Sequence, residues 1–169
     1  NGFEFAGELE DVPSGFEVYA YPIIKAVYDG NKGSDATNGS FTKYEPLYKA
    51  ADLEANAPVI DISDIEEVSG ESLKQVKITE AMLNAIIKKL PGKTAADAGD
   101  KAPVKMTLAK AETTGADGSK VTTFNATATV PVGSYLIMVY GAESKVYNPM
   151  VASVYYSNKD QTGNELQEG

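Results

Sequence analysis

The chain has 169 residues, with 24 acidic side chains against 15 basic ones, for a net charge of −9. Every basic residue is Lys, and Cys, His and Trp are absent. These gaps exclude disulfides, thiolate nucleophiles, zinc sites built on Cys or His, and Ser-His-Asp chemistry. The missing guanidinium forks and the negative charge also argue against nucleic acid and anionic lipid as partners.

Hydrophobic residues at 43% and charged residues at 23% are globular values, and a chain of this length buries enough surface to fold without staples. No run approaches the roughly 18 apolar residues of a membrane span, so no membrane insertion is expected in this segment. Asn1 to Phe16 lacks the basic start and apolar run of a signal peptide, and the abrupt ends suggest a piece of a larger protein.

In chain order, Asn1–Gly15 reads as a polar, Gly-containing segment ending in the turn Pro13-Ser14-Gly15. Phe16–Tyr28 is rich in β-branched and aromatic residues and predicts a strand. Pro22 inside it predicts an edge position or a bulge. Asp29–Ser40 reads as a loop, and Phe41–Tyr48 as a strand broken by Pro46. Ser63-Asp64-Ile65-Glu66 has the spacing of a capping box, with Gly70 limiting that helix to about two turns. Val76–Ile78 predicts a short strand. Thr79 then caps a helix whose Met82, Leu83, Ile86, Ile87 and Leu90 recur at helical spacing until Pro91-Gly92.

After a polar connector the pattern is β to the end. Lys105–Glu112 and Val121–Val130 flank the hairpin signal Ala116-Asp117-Gly118. On the second of these strands, Phe124, Ala126, Ala128 and Val130 share one face and the threonines the other. Tyr135–Tyr140 reads as a central strand and Val146–Tyr156 as the last one. The expected organisation is a polar segment over 1–15, one β-sandwich over 16–156 with a helical insertion near 63–91, and a linker over 157–169.

Few residue groups suggest chemistry. Asp61, Asp64, Glu66 and Glu67 cluster around the expected helix start. They read either as a calcium site or a carboxylate dyad or, more simply, as solvated acids favoured by a helix dipole. Asp29–Asp35 is oxygen-rich but lacks the spacing of a calcium loop, and Gly115–Lys120 is a turn and not a phosphate loop. The ten tyrosines read as a sugar-stacking face or as ordinary strand formers. Asn38-Gly39-Ser40 and Asn125-Ala126-Thr127 match the glycosylation sequon. Two facing carboxylates would be needed to revive an enzyme reading such as a glycosidase. No metal or cofactor is expected.

Three stretches carry a family resemblance. Val132-Gly133-Ser134-Tyr135-Leu136-Ile137-Met138-Val139 and Val146-Tyr147-Asn148-Pro149-Met150-Val151-Ala152-Ser153-Val154-Tyr155-Tyr156 resemble two successive strands of surface pilin domains. Val18-Tyr19-Ala20-Tyr21-Pro22-Ile23-Ile24-Lys25-Ala26 resembles the opening strand of the same modules. With its helical middle, the chain resembles the N-terminal domain of a Gram-positive, sortase-type fimbrial protein of the isopeptide-forming family.

The resemblance implies a mainly β fold, an Ig-like or collagen-adhesin-B-like β-sandwich with an inserted short helical segment. It implies a non-enzymatic structural module of a pilus or adhesion protein, forming part of a shaft or stalk or presenting a tip. Such a protein would be extracellular and anchored to the cell wall through regions outside this chain. Its partners would be other pilin subunits or adjacent domains of the same protein. The alternative is a carbohydrate- or host-matrix-binding module using exposed tyrosines and acidic loops.

The resemblance also implies a Lys–Asn isopeptide bond between the first and last strands, promoted by a buried acid. Lys25 and Asn148 stand at the matching places. Burial would make the amine a neutral nucleophile, and a protonated acid would polarise the amide. The usual acid position holds Val139, so the acid is unassigned, and Glu112 on another strand is a substitute candidate that nothing in the sequence singles out. The simpler reading has Lys25 reaching solvent and Asn148 serving a turn before Pro149. Neither the lysine-donating pilin motif nor the C-terminal sorting signal of that family occurs in the chain.

Overall fold

A computed structural model describes residues 2–8, 16–28, 41–63, 65–67, 74–95, 97–141, 150–156 and 166–168. The fold is mainly β, with antiparallel sheets and one short α-helix. The strands in chain order are β1 (Gly2–Glu8), β2 (Glu17–Tyr28), β3 (Phe41–Pro46), β4 (Ile65–Glu67) and β5 (Lys74–Val76). Helix α1 (Glu80–Ile87) follows. Then come β6 (Val104–Lys105), β7 (Thr107–Thr114), β8 (Lys120–Thr129), β9 (Gly133–Tyr140), β10 (Met150–Tyr156) and β11 (Leu166–Glu168). A three-stranded sheet has the order β1-β8-β7. A six-stranded sheet runs β11-β10-β9-β2-β3, with β6 also pairing β2, and β4-β5 form a separate hairpin.

Strands β2 and β9 are apolar almost without interruption because both of their faces are covered. Along β9, Tyr135 and Ile137 belong to an inner core and Leu136 to an outer one, the two-residue alternation of a pleated strand. Val18 and Ala20 of β2 join the inner core, and Tyr19 and Tyr21 the outer. The inner core lies between the two sheets, where Ala126 and Val130 meet Phe16, Val18 and Ile137. The outer core lies under a covering layer that supplies Leu47, Tyr48, Leu53, Ile60 and Ile86.

Pro22 is accommodated by a bulge. The pairing of β2 with β9 shifts between Pro22 and Ile24, so Ile23 is the extra residue and both Ile23 and Ile24 reach the outer core. Both sequence options for Pro22 hold locally: it sits at the bulge, and on the side away from β9 it falls between the β6 pairing, which ends at Ala20, and the β3 pairing, which begins at Ile24.

Thr79 caps α1 as its spacing predicts, its Oγ1 accepting from the Met82 N–H at 3.2 Å. Ile86 is 1% exposed under the layer, a burial worth about 1.5–3 kcal/mol. The expected helix from Ser63 is not formed. Instead the Asp61 carboxylate accepts both the Ser63 N–H at 2.9 Å and its hydroxyl at 2.6 Å. That turn takes the Ser63 hydroxyl away from capping, and Ile65–Glu67 pairs with Lys74–Val76 as β4 and β5.

The polar N-terminal stretch also departs from expectation. Gly2–Glu8 forms β1, antiparallel to β8, with Phe3 opposite Ala128 and Phe5 opposite Ala126. In the expected tail, Leu166–Glu168 forms β11 on the edge of β10. The hairpin at Gly115–Ser119 forms as predicted. Gly118 has φ +80°, and the Asp117 carboxylate accepts the Ser119 N–H at 3.0 Å.

The crossing between sheets is made at Met106. Lys105 pairs with Tyr19 in one sheet and Thr107 with Thr127 in the other, while the buried Met106 donates its N–H to the Val18 carbonyl at 2.8 Å. The β8–β9 connection is pinned by Tyr135, whose hydroxyl donates to the Pro131 carbonyl at 2.5 Å, in the manner of a tyrosine corner.

Candidate functional site

Lys25 lies on β2, opposite Gly133 of β9, and Gly133 in turn lies opposite Val154 of β10. Its ammonium donates to Asp100 at 2.9 Å, and the side chain is 36% exposed. This is an ion pair whose carboxylate partner is 70% exposed. Glu112 is exposed on β7 of the other sheet, opposite Thr122. Asn148 lies outside the described residues. Met150, at the start of β10, is opposite Ile137, which is opposite Ala20. The register therefore brings the beginning of β10 into the row of Ala20, across β9, and the later Val154 into the row of Lys25.

The acidic group near Asp61 does not gather around a helix start. Asp61 is exposed and turned onto Ser63, which holds its carboxyl below the usual range, while Glu66 and Glu67 are successive residues of β4. Asp64, the loop Asp29–Asp35 and the sequon at Asn38 lie outside the described residues. Asn125, of the second sequon, is a half-buried residue within β8. No group of three or more potential metal ligands occurs among the described residues.

Among the described residues, one arrangement of functional groups is not revealed by the local sequence. At the end of the six-stranded sheet, Glu17 pairs with Tyr140 and Tyr19 with Met138. Period-two alternation puts Glu17, Tyr19 and Tyr21 on the outer face of β2. The Tyr19 hydroxyl donates to Glu17 Oε2 at 2.6 Å. The Tyr21 and Tyr140 hydroxyls share a hydrogen bond of 3.2 Å, and the Tyr19 and Tyr140 rings meet edge to face with centroids 5.9 Å apart.

The polar connector after α1 adds a cation to this group. Lys93 Nζ sits 4.8 Å from the Tyr140 ring centroid and 5.8 Å from that of Tyr19. It is also 3.9 Å from Glu17, as is Lys105 from β6.

The electrostatics follow from these contacts. The bond from Tyr19 holds the Glu17 carboxyl below its usual range, and Lys93 and Lys105 act in the same direction. The same bond raises the Tyr19 phenol. Burial first, and the Tyr140 contact second, raise that of Tyr21. A second cation–aromatic contact lies nearby, with Lys101 Nζ 4.9 Å from the Tyr48 ring centroid and 3.1 Å from Asp52. Burial pushes the Tyr48 phenol up to about 12, and its hydroxyl has no hydrogen-bond partner among the described residues. Chemically, the Tyr19–Tyr140 group can hold cations over aromatic faces or present two ammonium groups to an anion. Comparison with protein families, curated proteins and solved structures finds no match to this chain.

Proposed function

We propose that this chain is a non-enzymatic structural module of a bacterial cell-surface fimbrial or adhesion protein, attached to the wall through regions outside it. The observation that carries this reading is one of adjacency. The three stretches that resemble surface pilins supply β2, β9 and β10, and these are neighbours in one sheet, in the order β10-β9-β2. The first of these stretches lies more than a hundred residues from the other two, yet all three resemble one family and form one continuous stretch of sheet. The Cys-free composition and the doubly covered β2 and β9 suit a module stabilised by packing, with other pilin subunits or adjacent domains as its neighbours.

The test is fractionation of the source bacterium with an antibody raised against the chain. The expected result is recovery from the muralytic digest of the wall, in species of mass well above that of the chain. Recovery from the cytoplasm alone would overturn the reading.

A further inference from the structure

We infer that Lys93 and Lys105, set beside Tyr140 and Tyr19, form a binding site for the carboxylate of an acidic sugar. The chain as a whole is strongly acidic, yet residues 88–105 carry Lys88, Lys89, Lys93, Lys101 and Lys105 against Asp97 and Asp100, a local excess of three positive charges. Within that band, Lys93 and Lys105 converge on the single carboxylate of Glu17. At 3.9 Å neither ammonium is within hydrogen-bonding distance of it, and Glu17 Oε2 already accepts the Tyr19 hydroxyl. Two cations therefore face one anion, Lys93 toward Oε1 and Lys105 toward Oε2, and neither hydrogen-bonds it. Lys93 and Lys105 are 40% and 63% exposed, so a ligand can reach both.

The surroundings select the ligand. Tyr140 is half-buried with the Lys93 ammonium 4.8 Å from its ring centroid, and the part of it left exposed gives a sugar ring an aromatic contact beside that lysine. A carboxylate bridging the two lysines would form charge-assisted hydrogen bonds that Glu17 does not make. The net charge of −9 works against long, densely charged polyanions, whereas a sugar bearing one carboxylate feels mainly the local field within a Debye length of about 8–10 Å. A singly carboxylated terminal sugar fits both conditions.

The inference deepens the surface-module reading and rests on it for access to glycans. Binding is measured on the purified chain, so a failure here leaves the fractionation result unaffected, and the converse also holds.

The experiment is an NMR titration of the intact chain with sialyllactose, and with lactose as the uncharged counterpart. Sialyllactose is expected to bind with a Kd of about 1 mM and lactose at least tenfold more weakly. Lys93→Met and Lys105→Met should each weaken binding about tenfold, the scale of one charge-assisted hydrogen bond. Glu17→Gln, which removes the competing anion, should tighten it. Lys120→Met makes the same charge change at the exposed first residue of β8 and should leave binding unchanged.

Lys93→Met also removes a contact over two rings. If it perturbs the fold, Lys105→Met and Glu17→Gln decide. Equal binding of lactose, an equal loss in Lys120→Met, or no shift up to about 10 mM sialyllactose would overturn the proposal.

Discussion

Gly133 lies so close to Ile24 that a Cβ at position 133 would overlap the Ile24 carbonyl oxygen. The bulge at Pro22–Ile24 creates this approach, because the extra residue Ile23 displaces the backbone of β2 toward the start of β9. The contact is backbone against backbone, so no side chain can rotate away. Gly133→Ala should therefore destabilise the fold by about 2 kcal/mol or more, a loss set by displaced strands rather than by a lost contact. Urea denaturation checks it, and a midpoint equal to that of the parent protein would refute it.

Two buried tyrosines should respond in opposite ways to loss of the hydroxyl. Tyr135 donates to Pro131 and holds the crossover into β9, so Tyr135→Phe should cost about 1 kcal/mol. Tyr48 is 2% exposed and its hydroxyl has no partner among the described residues, so Tyr48→Phe should leave stability equal or higher by up to about 1 kcal/mol. Paired urea midpoints read the contrast. A loss in Tyr48→Phe as large as that in Tyr135→Phe would contradict it.

What could be read from the sequence divides along contact range. The capped stripe of Thr79, Met82, Leu83 and Ile86 is a local signal, and α1 follows it. The Gly118 turn is equally local. Ser63-Asp64-Ile65-Glu66 is also local but misleading, because Asp61, two residues upstream, captures Ser63 first. β1 depends on a partner strand more than a hundred residues away. Phe3 and Phe5 have strand alternation, but nothing near them announces Ala128 and Ala126. The candidate site has the same character. Lys93 sits in a polar connector, and only the pairing of β2 with β9 brings Tyr19 and Tyr140 together beneath it. Asp100, seventy-five residues from Lys25, could not be named as its partner from spacing.

The register also bears on the isopeptide implied by the family resemblance. Met150 lies two strands from Ala20, and the Ala20 row is four β9 residues from the Lys25 row, about 14 Å along the sheet. Lys25 is occupied by Asp100. The expected intact mass is therefore the full sequence mass, without the roughly 17 Da deficit of ammonia loss. A deficit with tandem fragments joining Lys25 to Asn148 would require β10 to be paired in a different register.

Acid should weaken the fold partly through Glu17. Its unfolded pKa is near 4.5, and the bond from Tyr19 lowers the folded value. A lowered carboxyl contributes stability above the unfolded pKa and loses it as pH falls through the folded one. Asp52, held low by the Lys49 N–H and then by Lys101, adds to the same trend from the covering layer. Urea midpoints should therefore decline below about pH 4.5, and Glu17→Gln should make that decline shallower. An unchanged acid slope in Glu17→Gln would mean that the Tyr19–Glu17 bond does not persist in solution.

The opposite sign holds at high pH. The raised phenols of Tyr19, Tyr21, Tyr48 and Tyr135 contribute stability below their unfolded pKa of 10.0 and lose it as pH rises toward their folded values. Tyr48, Tyr21 and Tyr135 owe the shift first to burial, so opening the fold releases it. Tyr19 owes it first to Glu17, so Glu17→Gln releases it with the fold intact. An absorbance titration of tyrosinate should show a late group of phenols that ionise only together with loss of the folded circular dichroism signal. In Glu17→Gln, one phenol should leave that late group and titrate before the fold opens. If the late group is unchanged in number, Tyr19 is held by burial alone and the bond to Glu17 contributes nothing to the cluster.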